Sequence, residues 1–367
     1  MDRSKNIVRI SIIGIIVNLI LVGFKTVIGV ITGSVAIIMD AVNNLSDAFS
    51  SVVTIIGTKL AGRQPDKKHP YGYGRIEYIS SIIIAAIVML AGFTSCKESV
   101  DKIIHTKAAD YSAISMIMIG VAVFVKFFLG RYVKSAGEKY HSESLIASGT
   151  DAMFDSVISL STLIAAGVSI LFKVSIEGYL GVVISVIILK AGLEIMTDSL
   201  GSIIGSRVDS ELSVKLKEDI SKYPNVLGTY DLILHRYGPE KIIGSVHIEL
   251  PDEMTAKEIH ALSRNIAEGV YINYGIIMTI GIYASNTEDG LFAQMKQKLE
   301  GYISEYPEIL QMHGFYADSE RMRVSFDLII DFKADNKIEI RDDILNKMEN
   351  DYSEYQFSAT LDNDFSD

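Results

Sequence analysis

The sequence predicts two parts of different character: an α-helical membrane domain of six transmembrane helices, followed by an α+β cytoplasmic region of ferredoxin-like build. Three observations carry this expectation. Six apolar stretches of bilayer-spanning length precede residue 200. Charge divides at the same point: residues 1–200 hold 18 Lys+Arg against 15 Asp+Glu, a net of +3, whereas residues 201–367 hold 16 against 30, a net of −14. Beyond Arg207 the apolar pattern changes to short alternating strands and amphipathic helices.

Composition removes several classes of protein. Of the 367 residues 49% are hydrophobic, which excludes low-complexity disorder. Cys96 stands alone, so no disulfide framework is available. The net charge of −11 argues against a nucleic-acid partner, since phosphate binding needs a basic surface. A mean hydropathy of +0.29 at this size points to the bilayer.

The expected spans run roughly over 7–30, 33–60, 77–100, 111–134, 142–172 and 176–199. The first follows Arg3 and Lys5 but is too long for a signal-peptide core, carries Asn18 and Lys25, and has no small-residue cleavage site. Tyr78 to Ser95 is the cleanest stretch, with no ionisable group beyond Tyr78. With the N-terminus inside, the inner side holds Arg3, Lys5, Arg9, Arg63, Lys67, Lys68, Arg75, Arg131, Lys134 and Lys139. The outer side holds Lys97, Lys102, Lys107 and Lys173. Ten basic residues against four place both termini in the cytoplasm after an even number of spans.

Polar groups within spans are costly in hydrocarbon, so their presence marks function. The second span reads Asp40-Ala41-Val42-Asn43-Asn44-Leu45-Ser46-Asp47, and the fifth Asp151-Ala152-Met153-Phe154-Asp155. Residues four apart share a helix face, so Asn43 with Asp47 and Asp151 with Asp155 form two polar pairs able to meet across a helix interface. Asn44 neighbours Asp47 equally well on geometric grounds. Three carboxylates and an amide make an oxygen-only cage of about −3. Fully ionised and without a cation it would repel itself. Oxygen donors suit hard divalent ions such as Mn²⁺, Mg²⁺ or Ca²⁺, whereas Zn²⁺ sites are usually built with His or Cys, and no His lies in the apolar cores. Asp40 shares the face of Asp47 nearer the outer end, where it serves either as a hydrogen-bond support for the ligands or as a helix-end cap.

In order and spacing, Asn18, Lys25, Gly29, Gly33-Ser34, Ala36, Asp40 and Asn43-x-x-x-Asp47, then His69-Pro70-Tyr71-Gly72-Tyr73-Gly74-Arg75-Ile76-Glu77, then Asp151-x-x-x-Asp155, resemble the cation diffusion facilitator family. The resemblance spans about residues 7–290. It implies that Asn43, Asp47, Asp151 and Asp155 form the transport site, and it is the reason for choosing Asn43 over Asn44. This Asn-Asp-Asp-Asp set is similar to the manganese branch, here a bacterial member with a duplicated C-terminal domain. The resemblance further implies a second metal site in the loop after the second span. There Asp66 and His69 match but Tyr73 replaces the second histidine, so a structural role is expected.

In the cytoplasmic half, Val214–Ser221 reads as helix, Thr229–Arg236 and Ile243–Leu250 as strands, Thr255–Tyr271 as helix and Ile276–Ala284 as strand. That αββαβ order fits a ferredoxin-like layer, which by resemblance is a dimerisation domain giving a homodimer. By the same resemblance His235, His247 and His260 are candidates for regulatory metal, although the last strand lacks the family's histidine. Ile220-Ser221-Lys222-Tyr223-Pro224 is echoed by Ile303-Ser304-Glu305-Tyr306-Pro307, an offset of 83. Strand Met322–Phe332, helix Ile338–Asn350 and strand Tyr355–Leu361 follow, so a second ferredoxin-like copy is expected. The domain expectation is therefore 1–206 membrane, 207–290 cytoplasmic and 291–367 repeat with an acidic tail.

The functional expectation is a secondary transporter in a bacterial plasma membrane. It exports divalent metal, foremost Mn²⁺, from the cytoplasm by alternating access. Protons are the counter-ion by resemblance. Zn²⁺, Fe²⁺ or Co²⁺ export is the alternative within the class. No organic cofactor and no covalent catalysis are needed. Two rivals from other classes are an intramembrane aspartyl protease, for which paired aspartates suffice, and a non-transporting metal sensor.

Overall fold

The computed structural model describes residues 2–32, 35–105, 113–172, 176–286 and 290–362. Gly33, Ser34, Lys107, Lys173 and residues 363–367 of the acidic tail lie outside the described residues, as do the side chains of Asp40 and Asn43. The chain divides into two compact units, one of Met1–Ser206 with Tyr237–Glu240 and one of Arg207–Arg236 with Lys241–Asp367.

The first unit is helical throughout, as hydrocarbon requires, because only helices satisfy every backbone group within one segment. It comprises α1 Asp2–Thr32, α2 Val35–Ala61, α3 Ile76–Ile104, α4 Ala113–Lys139, α5 Glu143–Phe172 and α6 Glu177–Ile204. Helices α1, α3, α4 and α6 run at least two residues past their expected apolar cores at one end, where flanking polar residues continue the helical turn, whereas α5 stays within its expected bounds. Stretches of α1, α3, α4 and α6 are long and apolar enough to cross a membrane by length and composition.

Helix α1 packs mainly on α2, α3 on α6 and α4 on α5, while α2 also meets α5. Small residues allow the closest approach. A Cβ on Gly149 of α5 would lie 2.4 Å from the Lys134 backbone nitrogen of α4, so only glycine lets these two backbones touch. At one end of the unit Arg3 donates to both carboxylate oxygens of Glu77, at 2.9 and 3.0 Å, and to the carbonyls of Tyr140 and His141. Glu77 is fully buried. The same end holds Glu143 at the start of α5, which accepts from Ser199 and Ser202 of α6. The starts of α1, α3 and α5 thus share one end with the close of α4 and of α6, the arrangement of an up-and-down bundle.

The second unit contains two three-stranded sheets. In the first, α7 Ser210–Ser221, β1 Gly228–Arg236, β2 Ile242–Pro251, α8 Ala256–Tyr274 and β3 Ile277–Ser285 give sheet order β1-β2-β3, with β1/β2 antiparallel and β2/β3 parallel. Leu216, Ile220, Leu232, Val246, Ile248 and Ile266 fill its core. Helix α8 opens with a capping box, Thr255 and Glu258 each hydrogen-bonding the other's backbone amide.

The second sheet repeats the order: α9 Leu291–Ile303, β4 Ile309–Asp318, β5 Arg323–Ile330, α10 Lys337–Asp351 and β6 Gln356–Asp362, again antiparallel then parallel. Met295, Leu299, Phe326, Leu328, Ile344 and Met348 form its own core. The sequence offset persists in backbone detail. Bulges interrupt β1 between Tyr230 and Ile233 and β4 between His313 and Tyr316. Asp231 and Gly314, 83 apart, both take the left-handed conformation there, with φ of 51° and 63°.

Candidate metal centre

The residues that the sequence singled out within the spans lie on α2 and α5, helices that pack against each other. Asp47 of α2 and Asp151 of α5 are buried, and Asp155, one turn beyond Asp151, retains 15% side-chain exposure. The charges of Asp47 and Asp155 both act on Asp151, so the three carboxylates share one electrostatic neighbourhood. The backbone of Asn43 lies one turn before Asp47 on α2. Neighbouring Asn44 is buried, and its Nδ2 makes no hydrogen bond among the described residues.

The expected oxygen-only cage needs a correction. Lys126 of α4, only 3% exposed, reaches between the helices: its Nζ donates to Asp155 Oδ2 at 2.9 Å and pairs with Asp47 Oδ2. The cluster is therefore three carboxylates, two of them in contact with an ammonium, a formal −2 for these four groups rather than −3. Two buried carboxylates held by one lysine avoid the repulsion that an all-acid cluster would suffer. Lys25 of α1, also buried, lies within electrostatic range of Asp47. The sequence carried the signal for Lys126, a lone cation inside the apolar run Val123-Phe124-Val125-Lys126-Phe127-Phe128.

The loop pair Asp66 and His69 forms a closed turn. Asp66 Oδ1 accepts from the backbone amides of Lys68 and His69 at 2.9 and 2.8 Å, and Oδ2 accepts from the Tyr73 hydroxyl at 2.7 Å. The Tyr73 hydroxyl and the His69 amide hold the Asp66 carboxyl below its usual range. Tyr73 therefore occupies the carboxylate rather than leaving it to a metal.

Of the cytoplasmic histidines, His235 near the end of β1 and His260 on α8 are exposed, and His247 on β2 is half-buried. They do not converge. Among the described residues the group whose His and carboxylate atoms come together is Asp231, His313 and Asp362, and sequence reasoning singled out none of these three as a ligand.

Comparison with known proteins bears on both units. Residues 11–204 match the model of the cation efflux transmembrane domain, and residues 208–282 match that of the cation efflux protein cytoplasmic domain. The chain is 29% identical over 255 residues to the uncharacterized transporter MJ0449 of Methanocaldococcus jannaschii, covering 68% of this chain and 88% of that one. It is 23% identical over 292 residues to the manganese efflux system protein MneP of Bacillus subtilis, covering 77% and 97%. It is 26% identical over 256 residues to MneS of the same organism, a manganese efflux system protein, covering 70% and 88%. Buried carboxylates on paired helices and a family match across more than half of the residues lead to one conclusion: this chain belongs to the cation diffusion facilitator family, and is a divalent metal cation efflux transporter, not an enzyme.

Proposed function

We propose that the transported ion is Mn²⁺, exported from the cytoplasm in exchange for protons, with Asn43, Asp47, Asp151 and Asp155 as its ligands. The observation that carries this reading is the carboxylate–ammonium cluster of Asp47, Asp155 and Lys126 beside Asp151. Carboxylate oxygens without imidazole or thiolate favour a hard divalent ion. The names of the relatives MneP and MneS agree with that preference.

The ammonium supplies a mechanism for exchange. Lys126 and an incoming Mn²⁺ compete for the same oxygens of Asp47 and Asp155, so metal binding turns the lysine out of its ion pairs. When the metal leaves, Lys126 and protons compensate the carboxylates again, and the helices can return without carrying bare charge through hydrocarbon. The residual −2 of carboxylates and ammonium is what one divalent ion neutralises.

The three-part organisation we propose is 1–206 for transport, 207–290 as the dimerising cytoplasmic domain and 291–367 as its repeat. The functional chain is a homodimer in the bacterial plasma membrane with both termini cytoplasmic.

The test is flux into proteoliposomes of Mn²⁺, Zn²⁺, Fe²⁺ and Co²⁺ with an internal pH dye, for wild type and Asp155→Ala. Mn²⁺ flux with opposite proton movement, lost in the variant, is expected. Zinc preference would overturn the oxygen-donor argument, and metal flux without proton movement would overturn antiport.

A further inference from the structure

We propose that the loop between α2 and α3, together with the turn Tyr237–Glu240, binds the headgroup of an anionic phospholipid whose acyl chains lie along α3. Both segments belong to the first compact unit. They enclose a cavity of about 400 Å³, lined among others by Lys68, Tyr71, Arg75, Ile76, Ile79 and Tyr237. That volume lies within the range of small-ligand sites.

The walls of this cavity are already fixed. A Cβ on Gly74 would lie 2.2 Å from the Tyr237 carbonyl oxygen, and one on Gly238 would lie 2.5 Å from the Gly74 Cα, so these backbones touch because both residues are glycine. Beside that contact the Tyr71 and Tyr237 rings stack at 4.4 Å, and the Arg75 guanidinium lies 4.6 Å from the Tyr237 ring centroid. Another wall is the closed turn of Asp66 and Tyr73, with the Arg63 guanidinium 5.4 Å from the Tyr73 ring centroid. A site shaped before its ligand arrives loses little entropy on binding.

The charge of the loop is one-sided. Residues 62–75 contain Arg63, Lys67, Lys68 and Arg75 against the single acid Asp66. Both Asp66 oxygens are engaged, one by the backbone amides of Lys68 and His69 and the other by the Tyr73 hydroxyl. Glu77, next along the chain, is fully buried and takes both of its hydrogen bonds from Arg3, and Glu240 of the turn lies 3.9 Å from Arg3 as well. Lys67 and Lys68 are exposed, and their ammonium groups pair with no acid among the described residues. Such an excess of cations selects an anion, and phosphate oxygens match ammonium and guanidinium donors.

The apolar side of the cavity favours a lipid over a soluble phosphate. Ile76 and Ile79 line it at the start of α3. Ile79 is 49% exposed, and Ile83, Ala86, Leu90 and Phe93 continue an exposed stripe from it at helical spacing. Helix α3 is long and apolar enough to cross a membrane, so acyl chains can lie on this stripe while the loop stands at the boundary with water. A soluble phosphate would use the basic rim and leave the apolar wall uncovered. A phospholipid uses both, with its phosphate against Lys68 and Arg75, its glycerol beside the tyrosine rings and its chains on Ile79 and Ile83.

The chain contains no tryptophan, so Tyr71→Trp places a single fluorophore in the cavity, and Phe124→Trp places one on an exposed part of α4 as a control. Each full-length variant is reconstituted in mixed phosphatidylglycerol and phosphatidylcholine vesicles, with bromine on the acyl chains of one lipid or the other. Quenching of the indole then reads the lipid preference at that position. Tyr71→Trp should prefer phosphatidylglycerol by about fivefold or more, since each basic side chain at a membrane surface is worth about that factor, and Phe124→Trp should show no preference. Adding Lys68→Gln to Tyr71→Trp should lower the preference about fivefold. If Tyr71→Trp disturbs the ring stack, Ile79→Trp reads the same cavity from its apolar side. Equal quenching by the two lipids at the cavity, the same preference in Phe124→Trp, or a preference untouched by Lys68→Gln overturns the site. Loss of the preference on adding inorganic phosphate, but not chloride of equal ionic strength, overturns the lipid and makes the loop a site for a soluble anion.

Discussion

The membrane cluster and the cytoplasmic cluster face the same electrostatic problem with different groups to hand. Around Asp47, Asp151 and Asp155 the compensating group is Lys126, an ammonium on a long flexible stem that reaches Asp47 and Asp155. Around Asp231, Asp327 and Asp362 no lysine or arginine reaches in among the contacts described; the fully buried ring of His313 lies 2.9 to 4.0 Å from one oxygen of each. A lysine can be displaced by an incoming ion and return, which suits a site that must release its cargo. A buried imidazole on a strand has no such reach. The difference teaches that carboxylate count alone does not mark a transit site; the reach of the group that answers the carboxylates does.

The largest effect that would break this comparison comes from removing a transit ligand. Asp155→Ala should reduce vesicle Mn²⁺ flux by at least about 100-fold while leaving the cytoplasmic sheets folded, because the two clusters share no residue. Persistent flux in that variant would sink the membrane assignment.

Lys126→Met comes next. It leaves Asp47 and Asp155 without their ammonium, and breaking a buried pair costs about 3–5 kcal/mol. Thermal unfolding without metal should shift downward accordingly, and saturating Mn²⁺ should recover most of the loss, since ligand binding stabilises the state it binds. A deficit that Mn²⁺ does not narrow would mean that lysine and metal do not share the same oxygens.

Asn43→Ala against Asn44→Ala sharpens the membrane side further. The first should weaken Mn²⁺ binding about tenfold or more. The second removes a buried amide whose Nδ2 has no hydrogen bond among the described residues, so binding should change less than about threefold. The reverse order in dialysis would move the ligand to Asn44.

The smallest effect serves as a control on the cytoplasmic side. Thr255→Ala removes the cap of α8 and should cost about 1 kcal/mol in hydrogen-exchange protection of that helix, with Mn²⁺ flux unaltered. Thr255 holds the Glu258 carboxyl below its ordinary 4.5. The stabilisation from Glu258 is thus fully present above 4.5 and is lost as pH falls through the lower folded value. Exchange in α8 should therefore accelerate on acidification below pH 4.5, and less so in the variant. A variant as acid-sensitive as wild type would contradict the capping box.

Much of this molecule was legible from local rules. Asp47 and Asp151-x-x-x-Asp155 stood out because carboxylates are rare in apolar runs. The α7-to-β3 order followed from periodicity, and the Tyr-Pro echo 83 residues on pointed to the second αββαβ set. Lys126 was equally visible yet had no assigned role, since nothing in its own helix says which neighbour it meets. The histidines show the limit more clearly. His235, His247 and His260 were grouped because they lie in one domain, but strand and helix geometry send two of them to the surface.

What the sequence by itself determined is therefore what short-range physics writes into it: apolar span length, helix and strand period, and the i, i+4 carboxylate pair. What only the tertiary structure decided is which distant groups meet. Lys126 lies 79 residues from Asp47, and His313 lies 82 from Asp231 and 49 from Asp362. No periodicity links such positions. Helix packing through Gly149, and the approach of two repeated sheets around the bulge at Asp231, bring them within reach, because the space that closes between packed elements fixes which charges must answer one another.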